Sequence, residues 1–285
     1  MQVGIVGEIE SALARLREKE SGDDAPVLRA STMTHLVWAP PRWLPRAQAT
    51  LAGLQDRHPA RTIFLVPEPA RASSVEFHVS LHAVQVDGSR EAYAEVIEIR
   101  LRGRAVAYPA SLVLPLLISD LPVFCRWRGE PAWGSAQLDQ LVEITDRLVV
   151  NSSEWPGVPK QYPLLADLFH RAAVSDIAFS RTLQWRARLA EQWPGIKTIE
   201  RLRIEGPHAD ALLVAGWLRS RLKREITLVR RPADEIRSVR IDGVEVPPPI
   251  SQPAGAADLL SAELDVYGRD PIYEAAVQAT TPPRG

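Results

Sequence analysis

Two stretches carry side chains whose types and spacing suit recognition chemistry. The first is Asp120-Leu121-Pro122 followed by Arg126-Trp127-Arg128-Gly129, two guanidinium groups and an indole after the apolar run Val123–Cys125. Bounded by Pro122 and Gly129, that run reads as a buried strand, and open α/β sheets gather ligands at the carboxyl ends of their strands. Arg126 and Arg128 then either line such a crevice or leave the strand into water. A crevice near Trp38, Arg42, Arg126 and Arg128 would suit the phosphate of a sugar phosphate or nucleotide, because a planar guanidinium grips such an anion with two hydrogen bonds. The second stretch is Asp176–Arg186, DIAFSRTLQWR. Arg181 and Trp185 stand one helical turn apart, a spacing that permits a cation–π stack, and Arg and Trp are enriched where proteins bind one another. The competing reading packs Trp185 and Trp193 into a core.

Other constellations are absent from the sequence or read as structural. There is no phosphate-binding loop, no G-x-S-x-G elbow and no H-E-x-x-H pair. Gly4-Ile5-Val6-Gly7 lacks both the preceding strand and the third glycine of a dinucleotide loop. His78 and His82 lie in an alternating segment, and on a strand that spacing is about 13 Å, too far for one metal ion. Cys125 sits among apolar neighbours and reads as an inert core thiol. No catalytic residue, metal site or cofactor is therefore expected.

The elements that must position these residues follow from periodicity. Ile5, Ile9, Leu13 and Leu16 make one helical stripe, ended by Ser21-Gly22-Asp23-Asp24. Thr34–Ala39, a helix opened by Pro45 and Arg61–Val66 form a strand–helix–strand run of the length of a βαβ unit. Val75–Val86 and Ala92–Leu101 alternate and read as antiparallel strands about the turn Asp87-Gly88. Ala110–Gly129 is the most apolar stretch: a leucine-rich helix to Ile118, then the strand holding Cys125. Pro115, Asp120 and Pro122 interrupt it too often for a membrane span. A helix follows through Leu138, Leu141 and Val142, then a strand at Leu148–Asn151. Helical stripes run over Tyr162–Ala172 and over Arg181, Trp185, Leu189 and Trp193. After Pro194-Gly195 the pattern changes to strand, helix, strands and a hairpin at Asp242-Gly243, with two closing helices, the last capped by Asp270. The expected fold is α/β, a mixed, mostly parallel doubly wound sheet with a smaller C-terminal α+β domain. Its expected divisions are residues 1–30 (amphipathic helix and linker), 31–195 (a Rossmann-like α/β domain) and 196–285.

Composition narrows the partners. With 34 basic and 35 acidic residues, the chain has no general pull toward nucleic acid or an anionic membrane. A single cysteine and the lack of a signal-peptide pattern point to the cytoplasm.

Six motifs in order resemble the OpcA-type glucose-6-phosphate dehydrogenase assembly proteins. They are Arg29–Val37 (RASTMTHLV begins here as R-A-S-T-M-T-H-L-V), His58–Ile63, Pro115–Trp127, Ile144–Ser152, the D-[LI]-x-W-x-R-x-x-x-W-R pattern on Asp176–Arg186, and the pieces Leu212–Leu222 with Leu259–Val277. Phe179 stands where the family usually has tryptophan. The resemblance implies a non-catalytic effector that binds glucose-6-phosphate dehydrogenase, assists its assembly and raises its activity in the oxidative pentose phosphate pathway. The candidate contacts with such a partner are Asp120, Arg126, Trp127, Arg128, Asp176, Arg181, Trp185 and Arg186. The alternative is a sugar-phosphate- or nucleotide-binding α/β enzyme.

Overall fold

A computed structural model describes residues 2–20, 28–29, 31–85, 91–251 and 253–280. The stop at Ser21–Asp24 and the turn at Asp87-Gly88 lie outside the described residues. The chain divides into two compact units, residues 1–149 with 256–267, and residues 150–255 with 268–285.

The first unit opens with α1 (Gln2–Glu20), which buries Ile9 and Leu13 completely. Its strands are β1 (Leu28–Arg29), β2 (Met33–Trp38), β3 (Ala60–Glu68), β4 (Val75–Gln85), β5 (Glu91–Arg102), β6 (Val123–Trp127) and β7 (Arg147–Val150). They lie in the order β1-β5-β3-β2-β6-β7, all parallel, and β4 adds to β5 as the antiparallel strand. The central strands β2 and β6 are buried along their whole length, as a parallel sheet covered on both faces requires. Val37, Phe64 and Val66 pack under α2 (Leu44–Ala52). Their neighbours in sequence point to the other face, because side chains alternate along a strand. There Cys125 meets Thr145, just past α4 (Ala136–Glu143). The sheet is thus mostly parallel and wound on both sides. From the C-terminal part of the chain, α9 (Ala256–Leu264) also belongs to this unit.

The leucine-rich helix is shorter than its composition suggests. It is α3 (Ala110–Val113) followed by a 3-10 turn, Leu114–Leu116. Pro115 has no N–H for the carbonyl four residues back, and its ring crowds that carbonyl, so the α-helix cannot continue.

In the second unit, the expected helix over Tyr162–Ala172 is only α5 (Tyr162–Ala166), and β8 (Ala173–Asp176) appears where no strand was expected. Four residues are too few to carry a readable alternation. The stripe Arg181–Trp193 likewise divides into α6 (Ile177–Arg181) and α7 (Leu183–Ala190). Thr182 causes the break: its hydroxyl bonds back to the Phe179 carbonyl at 2.7 Å, competing with the helical ladder. Beyond, β9 (Arg201–Gly206), α8 (His208–Leu222) and β10 (Thr227–Pro232) make a parallel crossover, and β11 (Ser238–Ile241) and β12 (Val244–Glu245) add an antiparallel hairpin. Asp242 and Gly243 both take positive φ, the geometry of a two-residue hairpin turn. The closing helix α10 (Pro271–Gln278) is capped by Asp270, whose carboxylate accepts from the Ile272 and Tyr273 amides. It crosses α8 so closely that a Cβ on Gly216 would lie 2.2 Å from the Ala276 carbonyl oxygen.

Candidate functional site

The eight residues singled out in the sequence fall into two groups, Asp120, Arg126, Trp127 and Arg128 in the first unit and Asp176, Arg181, Trp185 and Arg186 in the second.

At the carboxyl end of β6, Trp127 stacks on Trp38 of β2 with ring centroids 4.7 Å apart and is buried. Arg126 points to the opposite face and is 6% exposed, with Nη1 donating to the Trp127 and Val149 carbonyls. Arg128 is 8% exposed and lies over the Trp43 ring, 4.9 Å from its centroid. Neither arginine leaves the strand into water. Gly129 lets the chain pass Trp43: at φ +75° it turns where few other residues can, and a Cβ would sit 2.8 Å from the indole nitrogen. Asp120 is not part of this arrangement. It is exposed, takes φ +64° and precedes the other end of β6, a strand about 17 Å long.

A polar layer that the sequence did not announce lies on the Arg126 face. His35 of β2 is buried beside Arg126 and His58, and its Nε2 has no partner among the described residues. His58 shares a 2.6 Å hydrogen bond with Ser261 of α9, and Arg147 pairs with Glu263 at 3.1 Å. Burial, with Arg126 and then His58 adding repulsion, brings the His35 imidazole down from 6.5 to about 3. The unfolded chain takes up a proton across that interval and the folded one does not. Stability is therefore complete above pH 6.5 and lost as pH falls toward 3, by up to about 1.4 kcal/mol per pH unit. Urea midpoints measured from pH 7 to pH 4 should fall more steeply for the native chain than for His35→Gln; parallel curves would refute a neutral buried imidazole.

In the second unit, Asp176 caps α6. Its Oδ1 accepts from the Ala178 and Ser152 amides at 2.8 and 3.0 Å, and burial pushes its carboxyl up. Asp210 of α8, 1% exposed, receives a two-pronged contact from Arg181: Nε to Oδ2 at 2.8 Å and Nη2 to Oδ1 at 2.7 Å. Ser153 donates to the same carboxylate at 2.9 Å. Of the two readings of Arg181 and Trp185, the stack does not form, because the break at Thr182 turns the residues apart. Trp185 instead enters the core of the smaller sheet with Leu202, Val214 and Val239, whereas Trp193 is 57% exposed. The cation–π contact belongs to Arg186, whose guanidinium lies 3.7 Å from the Phe179 ring centroid and donates to Thr182 Oγ1.

Cys125 is fully buried, and burial raises its thiol to about 12, so at neutral pH it is a thiol and not a nucleophile. Two grooves, of about 320 Å³ beside α2 and about 550 Å³ beside the C-terminal ends of α8 and α10, include none of the eight residues. Among the described residues no cluster of three or more His, Cys, Asp or Glu could hold a metal ion. No described helix is long and apolar enough to cross a membrane.

Fold and clusters together define an α/β protein in which Arg126, Asp176, Arg181 and Asp210 are engaged with its own backbone and with one another. Residues 52–167 match the family described as glucose-6-phosphate dehydrogenase subunit N-terminal domain, and residues 172–251 match the corresponding C-terminal domain. The chain belongs to the OpcA-type glucose-6-phosphate dehydrogenase assembly family. It is 24% identical over 178 residues to an OxPP cycle protein OpcA of Synechocystis sp., covering 58% of this chain and 38% of that protein. It is 25% identical over 197 residues to the OpcA protein of Nostoc punctiforme, covering 65% of this chain and 42% of the other. The chain thus spans about two fifths of the length of these curated relatives.

Proposed function

We propose that this protein binds glucose-6-phosphate dehydrogenase in the cytoplasm, assists its assembly and raises its activity by binding, without chemistry of its own. The observation that carries this reading is the match to both domains of the dehydrogenase-subunit family, in order, across residues 52–251. The buried, unreactive state of Cys125 and the structural use of Asp176, Asp210 and Arg181 are in keeping with it. Activation by binding requires higher affinity for the substrate-competent form of the enzyme, since a ligand shifts an equilibrium only by its differential affinity.

Within the two clusters, burial separates support from contact. Arg126, Trp127, Asp176 and Trp185 hold the framework, whereas the exposed Asp120 and the half-buried Arg186 face the partner. Mixing the purified protein with the dehydrogenase of its own organism should give co-elution and a higher rate with glucose 6-phosphate. Asp120→Asn keeps the residue's tolerance of positive φ and removes only its charge. It should weaken activation severalfold, with the melting temperature unchanged. Absence of both co-elution and a rate effect for the native protein would refute the reading.

A further inference from the structure

The strand β4 (Val75–Gln85) runs for 11 residues and pairs with β5 along its whole length, but with no other described strand. Proteins keep such edges short or guard them with lysine, proline or a bulge, because unpaired N–H and C=O groups attract another strand. None of these guards is present in β4. It holds no lysine, arginine, proline or glycine, and its register with β5 runs without a skipped residue.

Which backbone groups face the free edge follows from one hydrogen bond. The Arg102 amide donates to the Ser74 carbonyl at 2.9 Å, so these two residues, which continue the register, form a hydrogen-bonded pair. Such pairs alternate with non-bonded ones along an antiparallel ladder. Glu76, His78, Ser80 and His82 therefore turn their N–H and C=O groups toward β5, and Val75, Phe77, Val79, Leu81 and Ala83 turn theirs outward. The side chains of the two sets lie on opposite faces. Phe77, Val79 and Leu81 share a face with Glu95, which Arg17 of α1 reaches. They are only half-buried, while Ile97 and Ile99 beside them on β5 are fully buried. On the other face, His78 and Ser80 are exposed at the groove beside α2.

From this edge we propose that β4 pairs antiparallel with β4 of a second copy of this chain, about a two-fold axis at Val79. The strand is its own complement in that register. Val75 stands opposite Ala83 of the other copy, Phe77 opposite Leu81, His78 opposite Ser80, and Glu76 opposite His82. Arg102 holds Oε1 of Glu76, which leaves Oε2 to accept from the imidazole. Every outward residue from Val75 to Ala83 is paired, giving about ten backbone hydrogen bonds between copies, the number usual for a stable interface. Shifting the axis by one residue sets His78 against His82 or against its own copy and takes the imidazole from Glu76. Larger shifts shorten the ladder. The exposed Glu76–His82 pairs select the register, while the ladder and the Phe77–Leu81 contacts hold the copies together. Nothing in this pairing depends on the dehydrogenase.

The test is sedimentation of the purified full chain across micromolar concentrations, where the native protein should be a dimer. Val79→Pro removes an outward N–H at the axis and no bond to β5, so it should sediment as a monomer. His82→Glu sets two carboxylates opposite each other on both sides of the axis and should weaken the dimer about tenfold; adding Glu76→Lys should restore it. Loss of fold would not be repaired by that exchange. A monomeric native protein would overturn the pairing, as would a dimer that Val79→Pro and His82→Glu leave intact, which must use another surface. If the native chain is monomeric and Val79→Pro abolishes co-elution with the dehydrogenase, the edge serves that enzyme and self-pairing is likewise overturned.

Discussion

Replacing Glu95 with alanine should destabilise the first unit by about 3–5 kcal/mol, lowering its melting temperature by on the order of 10 °C. Glu95 lies on β5 and is 1% exposed. Its two oxygens serve two arginines: Arg61 Nε donates at 2.7 Å and Arg17 Nε at 2.9 Å. Arg61, also buried, reaches further to Glu10 at 2.9 Å and to the Leu116 carbonyl at 2.8 Å. Two of these residues, Glu10 and Arg17, belong to α1, so the network fastens that helix to the sheet. Without Glu95, a guanidinium stays in a low-dielectric site with only part of its compensation, which costs far more than the intact pair contributes. Glu95→Gln keeps the shape and one acceptor and should cost less. Hydrogen exchange should show the effect concentrated in α1, where Ile9 and Leu13 would gain solvent. A loss below about 1 kcal/mol would place this network with ordinary surface pairs.

The framework around that network was legible because its pattern is long and regular. The alternation from Val75 and the near-continuous apolar run at Val123–Cys125 specify an edge strand and a central one. Proline marked the start of α2, and Asp270 followed by Pro271 marked α10. What stayed hidden depended on single residues or on distant contacts. Thr182 interrupts a stripe that remains helical on both sides, so spacing alone left open a contact between Arg181 and Trp185 that a one-residue break removes. The four residues of β8 cannot display a period. His35 sits in an apolar run, and nothing local says that Arg126 from the neighbouring strand and His58 from the end of the α2 segment converge on it. The candidate site was legible in the same uneven way. The place of Arg128 at the end of β6 could be read from the sequence, whereas Trp43, whose ring lies under the Arg128 guanidinium, gave no signal until the fold placed it beside Gly129.

Arg181→Ala separates a structural arginine from a contact residue, and the expected loss is about 3 kcal/mol in the second unit. The asymmetry of buried pairs sets the size of the effect. Asp210 is sealed, and with Arg181 gone its only remaining donor in the cluster is the Ser153 hydroxyl at 2.9 Å. The buried Asp176 nearby already raises the cost of a second negative charge. Asp210→Asn in the Arg181→Ala background removes that uncompensated carboxylate and should recover part of the loss, so the double-mutant cycle should be strongly non-additive. Urea midpoints for the four members of the cycle decide it. Additive losses would mean that Arg181 does not stabilise Asp210, and would leave its guanidinium available to a partner.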